Sequence, residues 1–140
     1  MLFRSPLQAA AEEFFFRGYL QQAIGSLAGR SWVGVACSAL VFAIFHGDQN
    51  VALFTHRLGF GLIAGTLVWA TGGLEAAIAV HVANNVFAFG YALFTGGVAT
   101  LKATSAISWE AACSDLASFA VFGALAWWIG RRMHVATLTP

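Results

Sequence analysis

Apolar residues run along this chain in stretches longer than any strand, and short polar breaks divide them into segments of helical length. Pro6 suits the first turn of a helix that runs from Leu7 to about Leu27 and ends at the turn Ala28-Gly29-Arg30. A second runs from Trp32 to His46, apolar until its last residue, and stops at the breaker Gly47-Asp48-Gln49-Asn50. Val51 to Thr71 forms a third, with Gly59, Gly61 and Gly65 as small positions where a neighbouring helix can come close. Gly72-Gly73 turns the chain into a fourth helix, Leu74 to Phe94. The small-residue stretch Thr95 to Ile107 is read as a loop carrying Lys102, and Ser108 caps a fifth helix through Ile129. Trp127 and Trp128 suit a membrane interface, and Arg131 and Arg132 suit the headgroups beyond it.

Composition settles what surrounds these helices. Of the 140 residues, 59% are hydrophobic and 9% charged, with a mean hydropathy of +0.76, against about 25% charged in soluble domains. The expectation is an all-α, multi-pass integral-membrane antiparallel bundle of about five helices, in the cell membrane. It forms a single domain over residues 1–140, with the chemistry in about 6–94 and a scaffold helix at about 108–131. A net charge of +1 with no large basic cluster excludes nucleic acid as a partner. Cys37 and Cys113 read as small buried hydrophobes, and Met1-Leu2-Phe3-Arg4 lacks the layout of a cleavable signal peptide. Under the positive-inside rule the arginines and Lys102 tie, so orientation stays open.

Against that background, a few polar side chains need a reason. A charge at membrane depth costs roughly 2.5–3.5 kcal/mol on insertion scales, so those present should face one another or water. In an unbroken helix Glu13 and Arg17 share a face and pair, while Glu12 lies roughly 140° around from Arg17 and is left for another partner. Glu13 lies 16 residues before Gly29 and His46 lies 16 after Arg30, so a hairpin brings them to one level. His81, about eight residues or roughly 12 Å beyond Gly73, reaches that level only if the first hairpin projects from the membrane. Asn85 shares the face of His81, whereas Asn84 points about 100° away. His56, Arg57, Asp48 and His134 fall at span ends or in the tail and read as solvated residues.

Carboxylates, a guanidinium, imidazoles and a carboxamide from three helices suit hydrolysis. A glutamate can take a proton from water, the histidines can position that water, bind a metal or donate to an oxyanion, and the amide is a further donor. Spacing is not HExxH, so zinc is possible but not implied. A metal would have Glu12, His46 and His81 as its ligands. The preferred arrangement is metal-free, with water on Glu12 hydrogen-bonded by His46, and His81 and Asn85 as oxyanion donors. A non-enzymatic membrane protein, either an inactive immunity or scaffold protein or a small transporter using the same protonatable groups, is the competing class.

Three motifs in order, Glu12-Glu13-x-x-x-Arg17, Phe42-x-x-x-His46 and His81-x-x-x-Asn85, resemble those of the CPBP family of intramembrane proteases, over roughly residues 6–90. That family includes CAAX prenyl endopeptidases and bacterial proteins linked to bacteriocin processing or immunity. The resemblance implies an intramembrane endopeptidase acting on a peptide or membrane-protein substrate within the lipid bilayer. It also implies that Glu12 activates the water, that Glu13 and Arg17 support it, and that His46, His81 and Asn85 complete the site. Members usually carry further transmembrane helices ahead of the acid doublet, where this chain has eleven residues, which predicts a shortened form.

Overall fold

A computed structural model describes residues 4–95, 97 and 104–133, and its regular structure is helical throughout. Lys102 and His134 lie outside the described residues. The first rod comprises α1 (Arg4–Glu13), a π-helical segment (Phe14–Leu20) and α2 (Gln21–Ala28). It is followed by α3 (Ser31–Ile44), α4 (Val51–Thr71), α5 (Glu75–Thr95) and α6 (Trp109–Arg132). Gly29 and Gly72 end α2 and α4 at φ of 63° and 73°, a left-handed conformation that glycine adopts without a Cβ penalty.

The π segment corrects the expectation of an unbroken α-helix from Leu7 to about Leu27. In i→i+5 bonding the backbone N–H of Gln21 reaches Phe16 O, and the Ser38 hydroxyl on α3 donates to that same carbonyl at 2.7 Å. The wider turn changes the angular register after Glu13, so the 140° offset calculated for regular α-spacing does not hold. It also sorts the three phenylalanines: Phe14 and Phe15 face outward while Phe16 is buried.

Phe16 joins Phe42, Phe60, Phe119, Ala64, Val68 and Ala77 in the core. Edge-on contacts link Phe16 to Phe42 at 5.1 Å and Phe60 to Phe119 at 5.1 Å, so an aromatic string runs from the first rod to α6. Small residues let the backbones close around it. A Cβ on Gly61 would stand 2.9 Å from Ala39 of α3, and one on Gly65 would stand 2.7 Å from the Gln21 side chain.

One expected boundary moves. The second helix ends at Ile44, with Phe45 as its cap, so His46 sits in the turn beyond it, next to Gly47 at φ 77°. Among the described residues three helices, α4, α5 and α6, are long and apolar enough to cross a membrane. The 14 residues of α3 span about 21 Å against a hydrocarbon core of roughly 30 Å.

Asn50 locks the helix starts at one end of the bundle. Its side chain caps α4 by accepting from Leu53 N–H at 2.9 Å, accepts from Ile107 N–H at 3.3 Å and donates to Ile107 O at 2.9 Å. Its own backbone N–H donates to Ser105 O at 2.7 Å. Ser108, immediately after this clamp, caps α6 by accepting from Ala111 N–H, so α4 and α6 start side by side and run parallel.

Two glycine substitutions separate packing from propensity. Gly34→Ala would drive a methyl into the Gln21 carbonyl of α2 and is expected to cost at least about 1–3 kcal/mol. Gly90→Ala on α5 meets nothing within 4 Å and should be neutral or stabilise by up to about 1 kcal/mol. Thermal unfolding of the two variants in one detergent checks both.

Candidate active site

Glu13 is wholly buried, and its Oε1 receives two hydrogen bonds: Arg17 Nη1 donates at 2.9 Å and His81 Nδ1 at 2.7 Å. Arg17 is buried as well, four residues on. Its guanidinium carbon lies 4.6 Å from the Phe42 ring centre, 5.7 Å from Phe60 and 5.8 Å from Phe16. A cation removed from water is thus held by one carboxylate and three aromatic faces. Arg17 Nη2 lies 3.4 Å from Gly61 O, and one turn on Gln21 donates to Gly65 O at 3.1 Å, so the first rod reads the exposed backbone of the α4 glycine stripe.

This anchoring decides the tautomer of His81. A carboxylate oxygen only accepts, so the hydrogen in the Glu13 contact belongs to Nδ1, and in the neutral ring Nε2 is a bare acceptor. Glu12 Oε2 faces that nitrogen at 3.7 Å. The other Glu12 oxygen accepts from Gln8 Nε2 at 2.9 Å. Adjacent acids therefore reach opposite nitrogens of a single imidazole: the buried Glu13 orients the ring, and the more exposed Glu12 meets its lone pair. The unassigned partner of Glu12 is His81.

His81 also lines a cavity of about 120 Å³, room for roughly four waters. His46 and Asn85 line it, together with Phe42 and Phe60. His46 Nδ1 bonds Phe42 O at 2.7 Å, which makes Nε2 its acceptor in the neutral form. Desolvation pushes its pKa below the ordinary histidine range; the Phe42 carbonyl opposes that shift. Asn85 Oδ1 accepts from Asn84 Nδ2 at 3.3 Å. Of the six residues read from the sequence, Glu12, Glu13, Arg17 and His81 form one cluster, and His46 and Asn85 share the cavity with His81. His46 bonds its own helix rather than either acid.

His56, Arg57 and Asn84 line the same cavity, although the sequence reading set all three aside. Arg57 Nη1 donates to His46 O at 3.2 Å and to Gln49 Oε1 at 2.7 Å, bracing the turn that carries His46. His56 and Arg57 lie near the start of α4 and Asn84 at the middle of α5, so spacing along the chain carried no signal that they share a cavity.

The fit of a metal can be judged from the donors. Among the described residues, no three or more His, Cys, Asp or Glu side chains are grouped so as to hold a metal ion. Glu12 and His81 approach each other, but a catalytic zinc takes three protein ligands. Glu12 and His81 alone do not make up that set.

Comparison with known proteins reaches the same stretch. The family described as type II CAAX prenyl endopeptidase Rce1-like matches residues 1–87, from the start of the chain through all three motifs. The uncharacterized protein YyaK of Bacillus subtilis (strain 168) is 33% identical over 88 residues, covering 59% of this chain and 29% of that protein. The chain thus spans less than a third of that relative's length. No solved structure matches.

Arg17→Leu leaves Glu13 buried with no cation and should destabilise by about 3–5 kcal/mol. Pairing it with Glu13→Gln should cost less than the two single changes added, because neither charge is then stranded. A double-mutant cycle in thermal unfolding measures the difference. For His46, a folded pKa below the unfolded value means that the unfolded chain binds the proton first as pH falls. Its contribution to stability is complete above about pH 6.5 and declines below it, so His46→Gln should flatten that part of the stability–pH curve.

Proposed function

The chain belongs to the type II CAAX prenyl endopeptidase Rce1-like family, and from that premise we propose that it is an integral-membrane endopeptidase using a glutamate-activated water. The observation that carries this reading is the 3.7 Å gap between Glu12 Oε2 and His81 Nε2. Both atoms are acceptors, and a water donating one hydrogen to each satisfies both. Two hydrogen bonds of about 2.8 Å across that gap leave an angle of roughly 83° at the water oxygen. Its lone pairs then point away from both acceptors, toward an incoming carbonyl carbon.

Glu12 takes the proton as the water attacks, leaving a tetrahedral oxyanion, and gives it to the amine nitrogen as the intermediate collapses and the C–N bond breaks. If Nε2 is protonated during the cycle, the imidazolium charge falls against Glu13, whose carboxylate is already oriented by Arg17. Glu13 and Arg17 are positioning residues, acting through His81. Asn85 supplies an amide donor to the oxyanion from the cavity side, and His46 presents a second acceptor lone pair there. As a neutral ring His81 has no N–H for the oxyanion, so in this scheme it serves the water first and donates only once protonated.

Three helices of membrane-spanning length around the site favour a peptide substrate presented at the bilayer, with lipid as its surroundings. Purified protein in liposomes, supplied with a fluorogenic farnesylated CAAX peptide, provides the test. Glu12→Gln should reduce turnover by roughly 10²–10⁴-fold while leaving the melting temperature near wild type. Chelation should leave wild-type turnover unchanged. Full activity of Glu12→Gln, or activity lost on chelation and restored by zinc alone, would overturn the mechanism.

A further inference from the structure

We propose that Gln8 of α1 is the positioning residue of Glu12, holding one carboxylate oxygen so that the other stays turned to His81; the assignment rests on reading Glu12 as the base that activates water. Helix register makes the pair. Ser5, Ala9 and Glu13, each four residues from the next, form the buried row of α1, and α1 packs against α5, which carries His81. Gln8 and Glu12 each stand one residue before a member of that row, so they form the neighbouring row at the border of the buried face. The α spacing that brings them together is intact, because the π segment begins only at Phe14. Gln8 itself is exposed.

Gln8 Nε2 donates to Glu12 Oε1 at 2.9 Å, while Glu12 Oε2 stands 3.7 Å from His81 Nε2. Among the described residues, these two side chains are the ones within hydrogen-bond or ion-pair distance of the Glu12 carboxylate. A carboxylate with no donor has two equivalent oxygens, which exchange by rotation about a broad, roughly two-fold torsion. A donor on Oε1 removes that equivalence. With Oε1 pinned from the preceding turn, Oε2 is confined beside His81 Nε2, and the water held between those two atoms keeps one place. An exposed i,i+4 pair adds little to stability, so the consequence of this bond lies in where it leaves Oε2.

Each acid of the doublet thus draws on a residue four positions away on its own rod, in opposite directions. Arg17 is a cation and balances the buried charge of Glu13. Gln8 is a neutral amide, which orients Glu12 without supplying a positive charge that would oppose its taking up a proton. Gln8 does not line the cavity beside His81, so its effect falls on the geometry of the reacting water and leaves peptide binding alone.

Three substitutions at this position, made in the full chain and assayed in liposomes with the farnesylated CAAX peptide, decide it. Gln8→Met keeps the length of the side chain and removes the donor, Gln8→Glu keeps its shape and sets a like charge beside Glu12, and Gln8→Lys keeps a donor. All three are good helix formers, so their melting temperatures should stay near wild type. Gln8→Met should lower kcat about tenfold with KM within about twofold, the effect of a reacting group slightly misplaced. Gln8→Glu should lose at least as much, and Gln8→Lys should recover part of the loss. Equal kcat in Gln8→Met and Gln8→Lys, a loss carried by KM, or melting temperatures that fall in step with kcat would mark Gln8 as structural and overturn the proposal. Full cleavage by Glu12→Gln in that assay sinks the hydrolytic reading itself. Loss in Glu12→Gln with wild-type kcat in Gln8→Met sinks only the Gln8 assignment.

Discussion

Everything at the polar centre depends on a carboxylate and a guanidinium that have left water together. Glu13 and Arg17 are both fully buried at 2.9 Å, and a pair in such surroundings contributes less to net stability than its attraction suggests, because desolvating each ion costs several kcal/mol. What the pair supplies is direction. Glu13 cannot rotate away without stranding Arg17, and Arg17 is confined by Phe16, Phe42 and Phe60. The oxygen presented to His81 therefore has a fixed position, and with it the ring's orientation and its tautomer. Glu12 can stay partly exposed because its neighbour carries the structural duty.

The backbone is arranged to make this division possible. Two adjacent residues on a regular helix diverge by about 100°, which suits two acids that must reach opposite sides of one ring from α5. Beyond them the π segment resets the register so that Phe16 enters the core, and Ser38 from α3 takes up the Phe16 carbonyl. Glycines on α4 bring that helix close enough for Arg17 and Gln21 to reach its carbonyls. The polar column and the aromatic string thus share the same helices, and apolar packing supplies the rigidity that the polar groups need.

Much of this was legible in the sequence because acids, an arginine and mid-helix histidines stand out in a chain with 9% charged residues. The span Val51–Thr71, the Ser108 cap and the Glu13–Arg17 pair follow from local rules of periodicity, capping and i,i+4 spacing. Three features did not follow. The π segment depends on a hydroxyl 22 residues away that rewards the displaced carbonyl, and the local sequence carries no sign of it. Depth counted from turns placed His81 at the level of the acids only if the first hairpin projects, and the short α3 is consistent with that condition. His56 was dismissed from its position near a span end, although distance along a helix gives depth and not the identity of the facing helix.

That last error has a physical cause that bears on the whole architecture. Near the end of a span, a polar residue facing outward reaches headgroups and water at little cost, so solvation is the natural reading of His56 and Arg57. The Asn50 clamp removes that freedom by fixing α6 beside α4 from their first turns, so the ring faces protein where it would otherwise face solvent. Arg57 is turned toward the His46 carbonyl by the same compact end of the bundle. The polar end of the cavity is therefore made by helix register, set through one asparagine that bonds two backbone groups 57 residues along the chain. A cavity assembled this way gathers side chains from the turn after α3, from α4 and from α5, while the contacts that fix each of those elements lie outside it.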